Sequence, residues 1–154
     1  MQELKIKEKK SIAIIFGGNN FEHHVSLKTG YNISKELIDY NKFILLFIGI
    51  DHKNKWYYSD DIDKIIENPQ DIRSNKINTS LPKIFQIGNG KINNEKIDCV
   101  FLATHGKYVE DGNLQGFLKT NNLNYTGSDV NGSVIAINKH LAKIIAKENN
   151  ISTV

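Results

Sequence analysis

The sequence lacks the features that mark several classes of protein. Its 154 residues include one cysteine, Cys99, so no disulfide can form within the chain and no cysteine-rich zinc site can be built. No apolar run approaches the roughly 20 residues that cross a bilayer. The charged residues 1–10 do not resemble the apolar segment of a secretory signal. These absences favour a reducing cytoplasm and no membrane partner.

Arginine is also scarce, which bears on nucleic-acid binding. Arg73 is the only arginine, and the lysines behind the net charge of +3 are scattered along the chain. Nucleic-acid-binding proteins usually concentrate Arg and Lys on one face. The sequence therefore predicts no nucleic-acid partner. The remaining composition, 40% hydrophobic and 24% charged, is typical of a globular domain.

Hydrophobic patterning predicts an α/β fold. Continuous apolar runs, typical of strands buried on both faces of a parallel sheet, lie at 12–16, 43–50 and 97–104. A four-residue repeat after the first run marks the apolar face of a helix: Val25, Thr29, Ile33 and Leu37. Further helices are predicted at 61–67, 110–121, 131–137 and 139–148, short strands at 56–58 and 123–126, and a hairpin around 88–90. The expected architecture is a Rossmann-like, open, mostly parallel sheet with flanking helices.

Two polar loops follow predicted strands, at 17–27 and 105–112. Ligands of open parallel sheets bind at such strand ends, where strand order reverses. The first loop lacks both common phosphate-binding glycine spacings, and Glu22 would repel an anion. A carboxylate at a helix N-terminus is favoured by the helix dipole and stays ionised. We therefore interpret Glu22 as a site for a cation such as a substrate ammonium, with helix capping as the alternative.

For the other polar residues of the first loop, the sequence supports less specific predictions. His23 and His24 are adjacent, so they diverge on a helix and do not readily bind one metal ion. Surface histidines are the favoured interpretation, and no metal site is predicted. Ser26 is expected to cap a helix or to reach a ligand.

The second loop begins with His105, which directly follows a predicted buried strand. It can donate a hydrogen bond to a carbonyl or carboxylate, transfer a proton, or only cap the sheet edge. Gly106 allows close backbone approach. Residues 110–112 are typical of a helix cap, with acid–base chemistry as the alternative. Lys139 either meets a nucleotide phosphate or lies on a solvated helix face, and Cys99 is interpreted as inert packing.

Four passages together resemble the D-alanine–D-alanine ligase family, which includes the vancomycin-resistance ligases that use D-serine or D-lactate. They are IAIIFGGNNFEHHVSL (12–27), FIGIDHKNKWY (47–57), DCVFLATHGKYVEDGNLQGFLKTNNLNYTGS (98–128) and INKHLAKIIAKENNIS (137–152). The corresponding family patterns are FGGxSxEHEVSL, GIDxxGxW, HGxxGEDGTLQGxLE followed by PYxGS, and MDKxxxKxxxxxxGIP. The resemblance covers most of the chain outside 58–96.

This resemblance implies an ATP-grasp enzyme that phosphorylates the carboxylate of a first D-alanine and joins it to a second substrate. Residues 1–10 would be a polar lead-in, 11–128 the N-terminal substrate-binding domain, and 129–154 helices leading into a central ATP-grasp domain. ATP and magnesium would bind mainly to parts beyond residue 154. A homodimer and a role in peptidoglycan synthesis are also implied.

The resemblance assigns roles by position. Glu22 would bind the ammonium of the first D-alanine, Val25 would line that pocket, and Ser26 would lie beside it. His105, next to Gly106, would approach the substrate carboxylate or the tetrahedral centre. The residue that would reach ATP phosphates is Lys139.

Several positions depart from the family patterns, among them His24 for an acid, Val109 for glycine, Asn113 for threonine and Asn138 for aspartate. Valine seldom adopts a positive φ, so Val109 is expected to stiffen the loop behind His105. Two alternatives stay open, namely another ATP-grasp enzyme and a stand-alone α/β binding module without catalysis.

Overall fold

The centre of the fold is β1 (Lys10–Gly17), a strand buried on both faces as its unbroken apolar run predicts. The computed structural model describes residues 9–153, so most of the predicted lead-in, 1–10, lies outside the described residues. Strand β1 pairs in parallel with β2 (Phe43–Ile50) on one side and β9 (Cys99–Leu102) on the other. The edge strand β3 (Trp56–Ser59) pairs antiparallel with β2, giving the order β3-β2-β1-β9. The predicted open, mostly parallel sheet is confirmed.

Alternate side chains of β1 enter two separate cores, because successive strand residues point to opposite faces. Ile14 and Phe16 pack with residues of α1 (His23–Tyr40) and α2 (Ile62–Ile65). Ala13 and Ile15 pack with residues of α3 (Asn113–Thr120). Burial on both faces explains why this strand has no polar alternation.

The buried face of α1 differs from the predicted one. Its inward residues are largely small or polar: His23, Ser26, Leu27, Gly30, Tyr31 and Ser34. Val25, predicted on the apolar face, is 45% exposed, and Ile33 and Leu37 are only partly buried. The small residues recur every fourth position and bring the helix close to β1, so close contact rather than apolar area decides the inner face.

The remaining elements are short. Between β3 and β9 lie β4 (Ile66–Glu67), β5 (Lys76–Ile77), β6 (Ile87–Gly88), β7 (Lys91–Ile92) and β8 (Glu95–Lys96). The predicted strand 123–126 is reduced to a single parallel bridge between Val100 and Tyr125. Helix α3 begins three residues later than predicted, and its Phe117, expected inside, is 41% exposed.

Two helices close the described chain, α4 (Val130–Ile137) and α5 (Lys139–Glu148). Asn138 lies between them, and its side-chain oxygen accepts hydrogen bonds from the amides of His140 and Leu141. It therefore caps α5 as an aspartate would. None of the helices described between residues 9 and 153 is long and apolar enough to cross a membrane.

Gly30 provides a test of the close contact between α1 and β1. A Cβ atom at Gly30 would lie 2.6 Å from ring atoms of Phe16. We expect Gly30→Ala to lower the free energy of unfolding by about 1–3 kcal/mol, because the strain outweighs the gain in helix propensity. The matched control is Gly116→Ala in α3, where the nearest atom would be 3.9 Å away. That change should stabilise the protein by about 0.5–1 kcal/mol. Urea unfolding followed by circular dichroism measures both, and a Gly30→Ala variant as stable as the parent would contradict the packing argument.

Candidate functional site

The candidate site lies where β1 and β9 end, the point at which strand order reverses and ligands of open sheets bind. Ser26 joins these ends: its hydroxyl donates to the carbonyl of Ala103 at 2.8 Å and accepts from the amide of Gly17 at 2.7 Å. Ser26 is fully buried. Its hydroxyl thus holds α1 to both strands and lies beneath the crevice instead of facing it.

Glu22 stands at the mouth of this crevice. It is the residue before α1, yet its side chain makes no capping hydrogen bond. It is exposed, and none of the ion pairs formed within residues 9–153 includes it. A Cβ atom on Gly106, whose φ is +83°, would lie 3.3 Å from the Glu22 carboxyl carbon. The glycine therefore lets the first loop approach the second, and the carboxylate remains free for an external cation.

Asn20 links the two loops and has no counterpart in the sequence-based predictions. Its side-chain nitrogen donates to the carbonyls of His105, at 2.9 Å, and Lys107, at 3.1 Å. Its side-chain oxygen accepts from the amide of Glu22 at 2.9 Å. One amide thus sets the position of Glu22 relative to His105. Its carbonyl partners are 85 and 87 residues away, so no local pattern could identify it.

The imidazole of His105 is held on both sides. Its Nε2 lies 3.0 Å from the hydroxyl of Thr29 on α1, and its Nδ1 lies 3.5 Å from a carboxylate oxygen of Glu110. The other oxygen of Glu110 accepts from the amide of Gly106 at 2.8 Å. Glu110 therefore orients the His105–Gly106 segment, a contact different from both roles considered for residues 110–112.

In the loop behind His105, Val109 keeps a negative φ, as expected of valine. Val109 is buried and is not among the residues with positive φ. The positive φ, 71°, belongs to Tyr108, whose amide donates to Asp111. The positive φ thus lies one residue before the valine, and the valine packs in the core between β1 and α3.

The favoured interpretation of His23 as a surface histidine is wrong. His23 is only 1% exposed, and its Nδ1 lies 2.8 Å from the carbonyl of Gly18. Its ring stacks against that of His52, with centroids 3.9 Å apart. Burial lowers the pKa of His23 to about 4. A neutral imidazole therefore supports the first loop from below.

His24 is half-buried and turns away from Glu22. Its Nδ1 lies 2.7 Å from the side-chain oxygen of Asn75, whose amide nitrogen donates to the carbonyl of His24. In the described part of the chain, no group of three or more His, Cys, Asp or Glu residues is arranged to hold a metal ion.

The remaining residues singled out in the sequence are Val25, Lys139 and Cys99. Val25 is 45% exposed on the first turn of α1, next in sequence to the site. Lys139 is exposed at the start of α5, and no contact joins it to Glu22 or His105. Cys99 is partly buried, and this burial raises the pKa of its thiol, in keeping with an unreactive side chain.

The structure is an open α/β domain with a polar crevice at its strand ends. Residues 11–128 match the family model described as "D-ala D-ala ligase N-terminus". The chain belongs to this family.

Relatives and solved structures agree with this assignment. The chain is 35% identical to the D-alanine–D-alanine ligase of Oceanobacillus iheyensis and 38% identical to that of Borrelia garinii, over 91% and 95% of its length. It covers 40% of each of these relatives.

Two solved structures are similar to this one. The D-alanine–D-alanine ligase from Coxiella burnetii has a TM-score of 0.76 at 29% identity, covering 96% of this chain and 43% of that one. The VanG D-Ala:D-Ser ligase from Enterococcus faecalis has a TM-score of 0.72 at 32% identity, covering 95% and 43%.

The buried His23 predicts an acid-sensitive stability. Its pKa is about 4 in the folded protein and 6.5 ordinarily, so below pH 6.5 the unfolded chain binds a proton that the folded chain does not. Stability is therefore lost as pH falls from 6.5 towards 4, with His23 contributing roughly 2 kcal/mol of that loss between pH 7 and 5. Urea unfolding across this range should show a shallower pH dependence for His23→Gln, whereas His140→Gln, at an exposed position on α5, should keep the parental slope.

An NMR titration of the parent protein gives a second measurement that needs no variant. The His23 imidazole should stay neutral down to about pH 5. Titration of His23 near 6.5 would contradict the role of burial.

Proposed function

We propose that this chain provides the first amino-acid site of an ATP-dependent D-alanine–D-alanine ligase that makes the dipeptide precursor of peptidoglycan. The observation that carries the proposal is the free carboxylate of Glu22, held against Gly106 where β1 and β9 end. A carboxylate at this position attracts the ammonium of an amino acid, and it lies at the N-terminus of α1, where the helix dipole favours a negative charge.

The neighbouring residues suit the other groups of a zwitterionic ligand. The Nε2 atom of His105 is held by Thr29, whereas its Nδ1 lies 3.5 Å from Glu110, longer than a usual hydrogen bond, and Nδ1 is the nitrogen that we assign to donate to the substrate carboxylate or to the centre formed from it. Val25 offers exposed apolar surface for the methyl group of D-alanine. Ser26 and Asn20 are positioning residues, because their hydrogen bonds fix the two loops.

The chemical step would use parts that follow residue 154 in the longer relatives. ATP, with magnesium, supplies the phosphoryl group that converts the first carboxylate into an acyl phosphate. The amine of the second substrate then attacks, and phosphate leaves. Lys139, exposed at the start of α5, is proposed to contact the nucleotide phosphates. D-Serine is the second candidate for the second substrate, since a D-Ala:D-Ser ligase is 32% identical to this chain. The homodimer and the cytoplasmic location stay predictions.

The role of Glu22 is tested by D-alanine binding. We expect D-alanine to shift amide resonances of residues 17–27 and 105–112 in a two-dimensional NMR titration. Glu22→Gln should weaken this binding at least about threefold, because it removes one charge-assisted contact. Glu36→Gln, at another exposed glutamate of α1, should bind as the parent does. Equal binding by the Glu22→Gln variant, or no saturable shift in the parent chain, would count against the proposal.

The catalytic capacity of the isolated chain is tested by ADP release. The chain spans 40% of the length of its relatives, so we expect the 154-residue polypeptide to release no ADP above background with D-alanine, ATP and magnesium. A coupled spectrophotometric assay measures this release. A full-length D-alanine–D-alanine ligase is the positive control, and clear turnover by the 154-residue chain would show that it carries a complete site.

A further inference from the structure

Thr29 lies on the side of α1 that also carries Glu22 and Val25. These residues are three and four positions apart, so they follow one another along one face of the helix. Apolar periodicity alone groups Thr29 with packing residues, yet its side chain is half-buried and its hydroxyl lies 3.0 Å from Nε2 of His105. Within residues 9–153, this imidazole is the only side-chain partner of that hydroxyl. The hydroxyl proton is therefore available to the ring.

The two nitrogens of the His105 ring face groups with different hydrogen-bonding capacity. An ionised carboxylate only accepts hydrogen bonds, whereas a hydroxyl can donate or accept. The Glu110 carboxylate lies 3.5 Å from Nδ1, and its negative charge favours a proton on that nitrogen. A neutral imidazole has a single N–H, so Nε2 is then an acceptor for the Thr29 hydroxyl. Both neighbours thus select the same tautomer, with the proton on Nδ1.

This tautomer leaves a donor for a ligand. The 3.5 Å between Nδ1 and Glu110 exceeds a usual hydrogen-bond length, so the Nδ1 proton is not taken up by the carboxylate. The His105 side chain is 32% exposed and can be reached from outside. An imidazole without directing neighbours favours the proton on Nε2, which here faces α1. In that form Nδ1 would have no proton to donate to a substrate oxygen.

We propose that Thr29 is a positioning residue whose hydroxyl donates to Nε2 of His105 and so keeps the proton on Nδ1 for donation to the substrate. Thr29 acts only through the imidazole and does not itself contact the substrate. The inference rests on the proposed function, which assigns that donation to Nδ1. The tautomer, however, can be measured without any substrate.

The tautomer is tested by NMR on the ligand-free chain. Long-range ¹H–¹⁵N spectra distinguish protonated from unprotonated ring nitrogens, and at about pH 8.5 an ordinary imidazole is neutral. We expect the proton of His105 on Nδ1, with its signals identified by their loss in His105→Gln. Thr29→Val removes the hydroxyl but keeps the branched shape, and should give a mixture containing Nε2–H. Thr29→Ser should retain the parental tautomer. The control Thr120→Val, which removes a hydroxyl bonded to the carbonyl of Phe117, should leave His105 unchanged.

D-Alanine titrations of the same variants test the consequence for binding. The apparent Kd rises as the fraction of binding-competent protein falls, so a loss of about half to two-thirds of the Nδ1–H form should raise the Kd about two- to threefold. Thr29→Ser and Thr120→Val should bind as the parent does. In a His105→Gln background, Thr29→Val should have no further effect, because the residue through which it acts is gone.

Several outcomes would overturn the inference while leaving the Glu22 site intact. They are a proton on Nε2 of His105 in the parent, an unchanged tautomer in Thr29→Val, and the same loss of affinity from Thr29→Val with and without His105. The last would show that Thr29 only supports the helix. Absence of D-alanine binding in the parent would instead overturn the proposed function, and with it the role of Nδ1 towards the substrate.

Discussion

The hydrogen bonds of Ser26 are the constraint on which the site depends. One buried hydroxyl joins the amide that ends β1, the carbonyl just beyond β9 and the first turn of α1. Such a bond contributes only about 0.5–1.5 kcal/mol net, but a buried amide or carbonyl left without its partner costs about 1–3 kcal/mol. The main effect is therefore on geometry, because strand ends at any other separation would leave one of these groups unpaired.

The two loops above Ser26 are also held by the hydrogen bonds of one polar side chain, that of Asn20. Asn20 bonds across the crevice to the His105 segment and, within its own loop, to the amide of Glu22. Buried His23 holds the carbonyl of Gly18 from the other side. Because backbone groups of the first loop are engaged from both sides, the Glu22 carboxylate can remain exposed and unpaired while its backbone is fixed. A fixed anion binds a cation more strongly than a mobile one, since less conformational entropy is lost on binding.

The sequence predicts the strands better than it predicts the site. Both parallel neighbours of β1 and the edge strand β3 follow from apolar runs, because burial on two faces leaves a clear pattern. The Glu22 position follows from helix electrostatics, and the crevice follows from strand order. Contacts between residues that are far apart in the sequence leave no such pattern. The carbonyl partners of Asn20 are more than 80 residues away in the sequence. The buried ring of His23 packs against that of His52, in the turn between β2 and β3.

The face of α1 was mispredicted for a related reason. Apolar periodicity ranks faces by hydrophobic area, but the space above β1 is set by the Phe16 ring, which Gly30 accommodates and a larger residue would not. Where two elements approach this closely, shape outweighs hydrophobicity, and a row of Ser and Gly residues becomes the inner face.

Residues that depart from the family patterns have defined partners in this structure. His24, in place of an acid, bonds to Asn75, away from Glu22. Asn138, in place of aspartate, still caps α5. Asn20 stands where the family pattern has serine, and only the longer amide has both a donor group for two carbonyls and an acceptor for the Glu22 amide. With valine instead of glycine at position 109, the positive φ is found at Tyr108, and the Asn20 bonds to the backbone of His105 and Lys107 hold the residues just before it. The Asn20 side chain thus bonds to the carbonyl of the residue directly before the one with the positive φ.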